Sequence, residues 1–290
     1  MRAESRGRWW IYLRERSPLP ALAIIALAQS VSACYLLRAT IDAVGVALGA
    51  AGIVGLLVLM RLMDEVKDYD KDRVAHPDRP LPRGLFTPDE MRRALLVLGC
   101  ALAVFGALVG ALRSPVAGAL YVFCVAYSFL MYREFFAPRL LGVNAFVYAL
   151  THQVIVVPMY AFAVATISPT HALSSTTLWF ALTGLGASFV YEVARKLDPA
   201  AHPALRTYLA LYGRGAAAAA IVAALGLLAV SAYRIDVEWI VWPVVALMLL
   251  VLPLLWLRPG AHRAIEATAT LLGFVQMLAP TLRHALRAFA

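Results

Sequence analysis

The chain has 290 residues, 62% of them hydrophobic and 15% charged, with a mean hydropathy of +0.76. A water-soluble globule carries roughly 45–50% apolar and about 25% charged residues, so this composition excludes an ordinary soluble enzyme and requires lipid. The formal charge of +9 is accounted for by basic loops facing the anionic inner surface of a bilayer, and no nucleic acid partner is needed to explain it.

The chain opens on MRAESRGRWWIYLRERSP, a basic stretch with no short apolar run and small-residue cleavage site behind it, so no removable signal peptide is expected. Crossing the hydrocarbon takes about 20 mostly apolar residues in a helix. Nine segments meet that length: 19–37, 41–63, 91–112, 115–132, 140–164, 174–191, 205–231, 238–257 and 263–288. The first holds Gln29, Ser30 and Ser32 at membrane depth, where polar groups are costly enough to suggest function. After the second come Pro77, Pro80, Pro82 and Gly84, and then TPDE, which reads as a helix start with Thr87 as cap, Pro88 at the first turn and Glu90 reaching back. Pro138 follows the fourth span, and the fifth carries Asn144, Tyr148, His152 and Gln153. Pro199 and Pro203 follow the sixth, Pro259 and Gly260 the eighth, and the ninth is the most polar, with Glu266, Gln276, Pro280, Arg283 and His284. Cys34, Cys100 and Cys124 sit in apolar runs without metal or disulfide spacing and read as packing residues. With the N-terminus inside, Lys and Arg divide 21 to 5 in favour of the inner loops, which supports that orientation. The expectation is an all-α polytopic membrane protein: one domain over 1–290, nine helices around a central apolar cavity, N-terminus cytoplasmic, with inner loops at about 64–90 and 191–205.

Eight of the 17 acidic residues fall between positions 64 and 90. Asp64, Asp68 and Asp72 recur every fourth residue as a continuation of the second span, and at 100° per residue they drift only about 40° per step, so they share a helix face. Carboxylates stacked on one face repel unless cations sit among them, and Mg²⁺ takes one or two carboxylates together with phosphate oxygens. Arg79 and Arg83, stiffened by the flanking prolines, supply fixed cations for a phosphate beside such an ion. A solvated run with interleaved signs, DEVKDYDKDR, is the plainer alternative. An EF-hand is excluded, since Arg73 and Arg79 stand where its glycine and its bidentate glutamate belong.

These residues resemble the UbiA superfamily of intramembrane prenyltransferases, whose members carry NDxxDxxxD and then RPLxxG after the second of nine helices. Here the motif reads Asp64-Glu65-Val66-Lys67-Asp68-Tyr69-Asp70-Lys71-Asp72, followed by Arg79-Pro80-Leu81-Pro82-Arg83-Gly84. The superfamily's second motif, DxxxD after the sixth helix, is only partly kept: Glu192 stands for its first aspartate, Lys196 replaces its second, and Asp198 lies two residues on. Tyr127-Ser128 and Arg133 are similar to a third family feature near the end of the fourth helix. The resemblance implies Mg²⁺ held by Asp64, Asp68 and Asp72 with Glu192 and Asp198, and diphosphate held by Arg79, Arg83, Arg133, Arg195 and Lys196. It also implies an isoprenyl diphosphate substrate whose chain lies among cavity residues such as Tyr127, Asn144, Tyr148, His152 and Gln153.

Two fates follow for an allylic cation formed there: capture by an aromatic or quinone-like acceptor, or capture by the chain's own double bonds to give a cyclic terpene. Asp64 in place of Asn, HPDRPLPRG at 76–84 and the weakened second motif lie nearer the superfamily's membrane terpene cyclases, with a farnesyl-sized substrate. A transporter is the reading from another class. It predicts acids near the bilayer midplane, and the spans place none there.

Overall fold

The computed structural model describes residues 2–37, 40–258 and 260–288. Arg38 and Pro259 lie outside the described residues, as do the side chains of Arg2 and Arg6. Among the described residues nine helices are long and apolar enough to cross a membrane. They match the nine expected segments, and the molecule is all-helical among those residues.

An element that hydropathy did not foresee comes first: α1 (Arg2–Arg16), an arginine-rich helix. The spans follow as α2 (Leu19–Leu36), α3 (Ala43–Lys67), then, after the short α4 (Tyr69–Ala75), α5 (Pro88–Leu112) and α6 (Pro115–Tyr132). TPDE starts α5 as its spacing predicts: Thr87 Oγ1 accepts from Glu90 N at 3.2 Å and Glu90 Oε2 accepts from Thr87 N at 2.8 Å. After α7 (Pro138–Leu141), the fifth span divides into α8 (Ala145–Gln153) and α9 (Val156–Ala165). Pro158 explains the division, because it lacks the N–H owed to Val154 O and its ring crowds that carbonyl. The remaining spans are α10 (Ser175–Ala194), α11 (Tyr208–Arg234), α12 (Glu238–Val251) with the one-turn α13 (Leu254–Leu257) behind Pro253, and α14 (Ala261–Ala288).

Neighbour contacts run α2 to α3, α5, α6, α9, α10, α11, α12 and α14, and α14 returns to α2, so the bundle closes into a ring. Its two ends differ. Toward the far end α9 is buried without interruption from Met159 to Ala165, packed against α2, α3, α6 and α10. Small residues allow that density: a Cβ on Gly118 would lie 2.5 Å from Gly110 Cα, so α5 and α6 touch backbone to backbone. Polar residues of the last span are satisfied there, whereas Gln29 Nε2 and Ser30 Oγ of α2 are buried without a hydrogen-bond partner among the described residues. Gln276 accepts from Thr183 Oγ1 at 3.1 Å and donates to Tyr160 Oη at 3.0 Å, and Arg283 donates to the carbonyls of Ile235 and Tyr35 at 2.7 and 3.2 Å. At the near end α3, α6 and α10 finish and α5, α8 and α11 begin, so both acid-bearing loops emerge on one side.

Candidate active site

The helix of α3 does not stop cleanly at its charged end. Asp68 N donates to Asp64 O at 2.9 Å and Asp72 N to Asp68 O at 2.8 Å, while Asp68 itself departs from helical geometry at φ −91°, ψ 7°. The periodic acids therefore share a nearly continuous helical turn but meet three different environments. Asp64 is exposed, and no described residue donates a hydrogen bond to its carboxylate or pairs with it within 4 Å. Asp68 is half-exposed and pairs with Lys71 at 3.0 Å. Asp72 is 3% exposed, and Arg79 Nη1 lies 2.7 Å from each of its oxygens.

In this structure the three carboxylates are not gathered around one point. Among the described residues no three of His, Cys, Asp and Glu are grouped to share an ion. Burial is the reason, since a carboxylate removed from water needs a counter-charge, and Arg79 provides it. The same pairing engages the Arg79 guanidinium. Arg83 is engaged as well: it donates to both oxygens of Glu15 on α1, at 2.9 and 3.0 Å, and to Asp78 O at 2.9 Å. That bond holds the Glu15 carboxyl below the usual range and lifts the guanidinium above its own. Arg133, at the end of α6, lies over the Phe136 ring at 5.7 Å, with no acid partner among the described residues.

In the second loop Glu192 is 8% exposed and is clamped by Arg195 and by Lys196 Nζ at 2.5 Å, with Tyr208 Oη 3.5 Å away. One carboxylate between two cations leaves the cluster with a net positive charge. Burial pulls down the Arg195 pKa, but Glu192 more than offsets that and holds the guanidinium above its ordinary value. Asp198 turns away from this cluster, accepting from Ala200 N at 2.9 Å and lying 3.7 Å from His262 Nε2. Glu192 and Asp198 thus do not form a second carboxylate pair.

The two loops do converge, through other residues. Asp64 and Arg195 lie within electrostatic reach of each other, and Lys67 within reach of both Asp64 and Asp68. Lys67 Nζ donates to Tyr148 Oη at 2.8 Å, so this cation is held by a neutral phenol rather than by an acid. The Tyr148 ring stacks on His152 at 4.1 Å, Phe135 meets His152 edge-on at 5.9 Å, and Tyr127 meets Phe135 at 5.4 Å. An aromatic wall therefore adjoins the charged group. His152 Nδ1 faces Tyr148 O at 2.8 Å, while its Nε2 is buried without a hydrogen-bond partner among the described residues. Asn144 Oδ1 accepts from Phe146 N and Val147 N and caps α8. Gln153 ends α8 half-buried.

Sequence reasoning missed Lys67 as a site residue, because interleaved signs suggested mutual neutralisation. Its position three residues after Asp64 on one helix was the available signal. The second acid of the motif, Glu65, faces the other way, buried and paired with Arg16 of α1 at 2.5 Å.

Among the described residues, nine apolar helices in a closed bundle, with cations and an open carboxylate gathered at one end beside aromatic rings, are those of an integral membrane protein. The sequence model of the UbiA prenyltransferase family matches residues 19–276, and the chain belongs to that family. Its members are membrane enzymes that use isoprenyl diphosphates, generally with Mg²⁺. Among solved structures, the apo structure of a UbiA homolog from Aeropyrum pernix K1 is similar at 18% identity and a TM-score of 0.62, covering 92% of this chain and 98% of that one, a likeness of fold. No curated protein matches the sequence.

Proposed function

We propose that the chain ionises an isoprenyl diphosphate at the rim formed by the ends of α3 and α10 and lets the resulting allylic cation cyclise. The observation that carries this reading is Asp64: an open carboxylate without a partner among the described residues, flanked by Lys67 and Arg195 from two different loops. An acid and cations that lie close together without pairing to each other suit a ligand that carries both a metal ion and negative oxygens.

Mg²⁺ fits the residues present, since Asp64 and Asp68 offer hard oxygens one turn apart, and two carboxylates with phosphate are a sufficient set. Bound there, the ion supplies Lewis-acid neutralisation of the departing diphosphate. The protein's own groups do the rest. Lys67, Arg195 and Lys196 hold the diphosphate oxygens, and the Lys67–Tyr148 bond fixes the direction of the ammonium. The C–O bond breaks, its electron pair leaves with diphosphate, and the chain is left as an allylic cation. The rings of Tyr127, Phe135 and Tyr148 stabilise that cation through their faces. The packed far end, centred on α9, keeps water from capturing it. An internal double bond then attacks the cation and closes the ring, and the cyclic cation so formed loses a proton to the released diphosphate, leaving a neutral cyclic hydrocarbon. The basic bias of the near-end loops supports a cytoplasmic position for this rim.

Transfer to an aromatic acceptor is the second reading, favoured by the family's prenyltransferase character. Purified protein incubated with prenyl diphosphates of graded length and Mg²⁺, with no acceptor, distinguishes the two. Cyclic hydrocarbon with released diphosphate is the expected result. Substrate consumed only after a phenol or quinone precursor is added overturns cyclisation, and no turnover of any prenyl diphosphate under either condition overturns the ionisation itself.

A further inference from the structure

A second concavity lies on the outer face of the bundle, away from the rim. There α1 rests against the end of α3 and the first turns of α5, leaving an open groove of about 570 Å³. Its mouth carries Arg8, Glu90 and Arg93, and it descends along Val58, Val97 and Ala101. Arg8 is spent on Glu90 Oε1 and Leu85 O, both at 3.2 Å. Arg93 is exposed and has no acid partner among the described residues. Below it Val97 is 71% exposed, an apolar side chain facing lipid. Eleven residues of α5 separate Glu90 from Ala101, about 16 Å at 1.5 Å each. Half of a hydrocarbon core of about 30 Å has nearly the same depth. Trp10 on α1, 67% exposed, belongs at the same interfacial level.

We propose that this groove seats one anionic phospholipid of the surrounding bilayer, its phosphate on Arg93 and one acyl chain along Val58, Val97 and Ala101. Charge and length together select that occupant: an open guanidinium at headgroup height above an apolar trough one leaflet deep. The prenyl diphosphate is not the occupant, because the groove offers no open carboxylate for a metal; Glu90 is already bonded to Arg8 and to the Thr87 amide. The lipid pins α1 to α5, and α1 in turn holds the motif helix through Arg16 and Glu65.

Native mass spectrometry of the full chain in detergent, titrated with phosphatidylglycerol or phosphatidylcholine of identical acyl chains, tests this. The first phosphatidylglycerol binds about fivefold more tightly than the first phosphatidylcholine, the worth of one arginine at an anionic surface. Arg93→Gln removes that preference, and Val97→Trp, which fills the trough, lowers occupancy by both lipids; thermal melts confirm that both variants fold. Equal affinity for the two lipids, a preference that survives Arg93→Gln, or displacement of the bound lipid by farnesyl diphosphate overturns the proposal.

Discussion

The two loops at the near end solve the same electrostatic problem in opposite ways. In the segment after α3 the charges are distributed: Asp72 is buried with Arg79, Asp68 shares Lys71 at the surface, and Asp64 is left open. In the segment after α10 the charges are collapsed onto one point, with Glu192 held by Arg195 and Lys196. A closed cluster of this kind is a rigid electropositive fixture, while an open carboxylate beside an ammonium held only by a neutral phenol suits a ligand of mixed charge. On the function proposed above, the first loop is the one that would hold the metal, and the second would supply positive charge in place of the missing second aspartate.

The sharpest break of that asymmetry comes from exchanging one acid on each side. Asp64→Asn is expected to lower the rate of diphosphate release by at least about a hundredfold, about 2.7 kcal/mol in activation free energy, with no recovery on raising Mg²⁺. Glu192→Gln is expected to act on stability instead, by about 1–3 kcal/mol, because it leaves two cations without their counter-charge in a largely buried place. Its diphosphate release stays within about tenfold of the parent. Coupled pyrophosphate assays and denaturant melts on the same preparations read both quantities. Equal loss of rate in the two variants would mean that Glu192 binds metal after all.

A finer cut removes the cation that the first loop contributes. Lys67→Met is expected to lower kcat/KM for the prenyl diphosphate by about tenfold, about 1.4 kcal/mol, the range of one hydrogen bond to a charged group. Tyr148→Phe is expected to cost less, since it frees the ammonium without deleting it. If Tyr148→Phe proves the more damaging of the two, the phenol and not the amine contacts the substrate.

How much of this was visible in the sequence follows from which forces are local. The nine spans were legible because hydropathy over 20 residues dominates every other term in lipid, and the Thr87 cap was legible because its partners lie within one turn. α1 escaped because seven of its fifteen residues are charged, so no apolar run announces it; what holds it is a contact of Trp9 and Tyr12 with Phe86 far along the chain. Periodicity placed Asp64, Asp68 and Asp72 on one face but said nothing of what faces them. Arg83 looked free for phosphate because Glu15 lies 68 residues away. Lys67 was hidden for the reverse reason: its acidic neighbours in sequence suggested a pairing, while its actual partner, Tyr148, comes from another span.

The smallest expected effect concerns that same Arg83. Its bridge to Glu15 is exposed on both sides, and exposed bridges contribute little at physiological salt. Glu15→Gln should leave diphosphate release unchanged, and its stability difference from the parent should have a definite pH signature. The Glu15 carboxyl titrates lower in the folded chain than in the unfolded one, chiefly because of its hydrogen bond from Arg83. The stabilisation is therefore complete above the unfolded value of about 4.3 and disappears as pH falls through the lower folded value. Melting curves of parent and variant taken down that acid limb should converge. Should Glu15→Gln instead change diphosphate release at neutral pH as strongly as Lys67→Met, Arg83 would be reaching the substrate once released from α1, and the division between a structural arginine and a catalytic rim would fail at that residue.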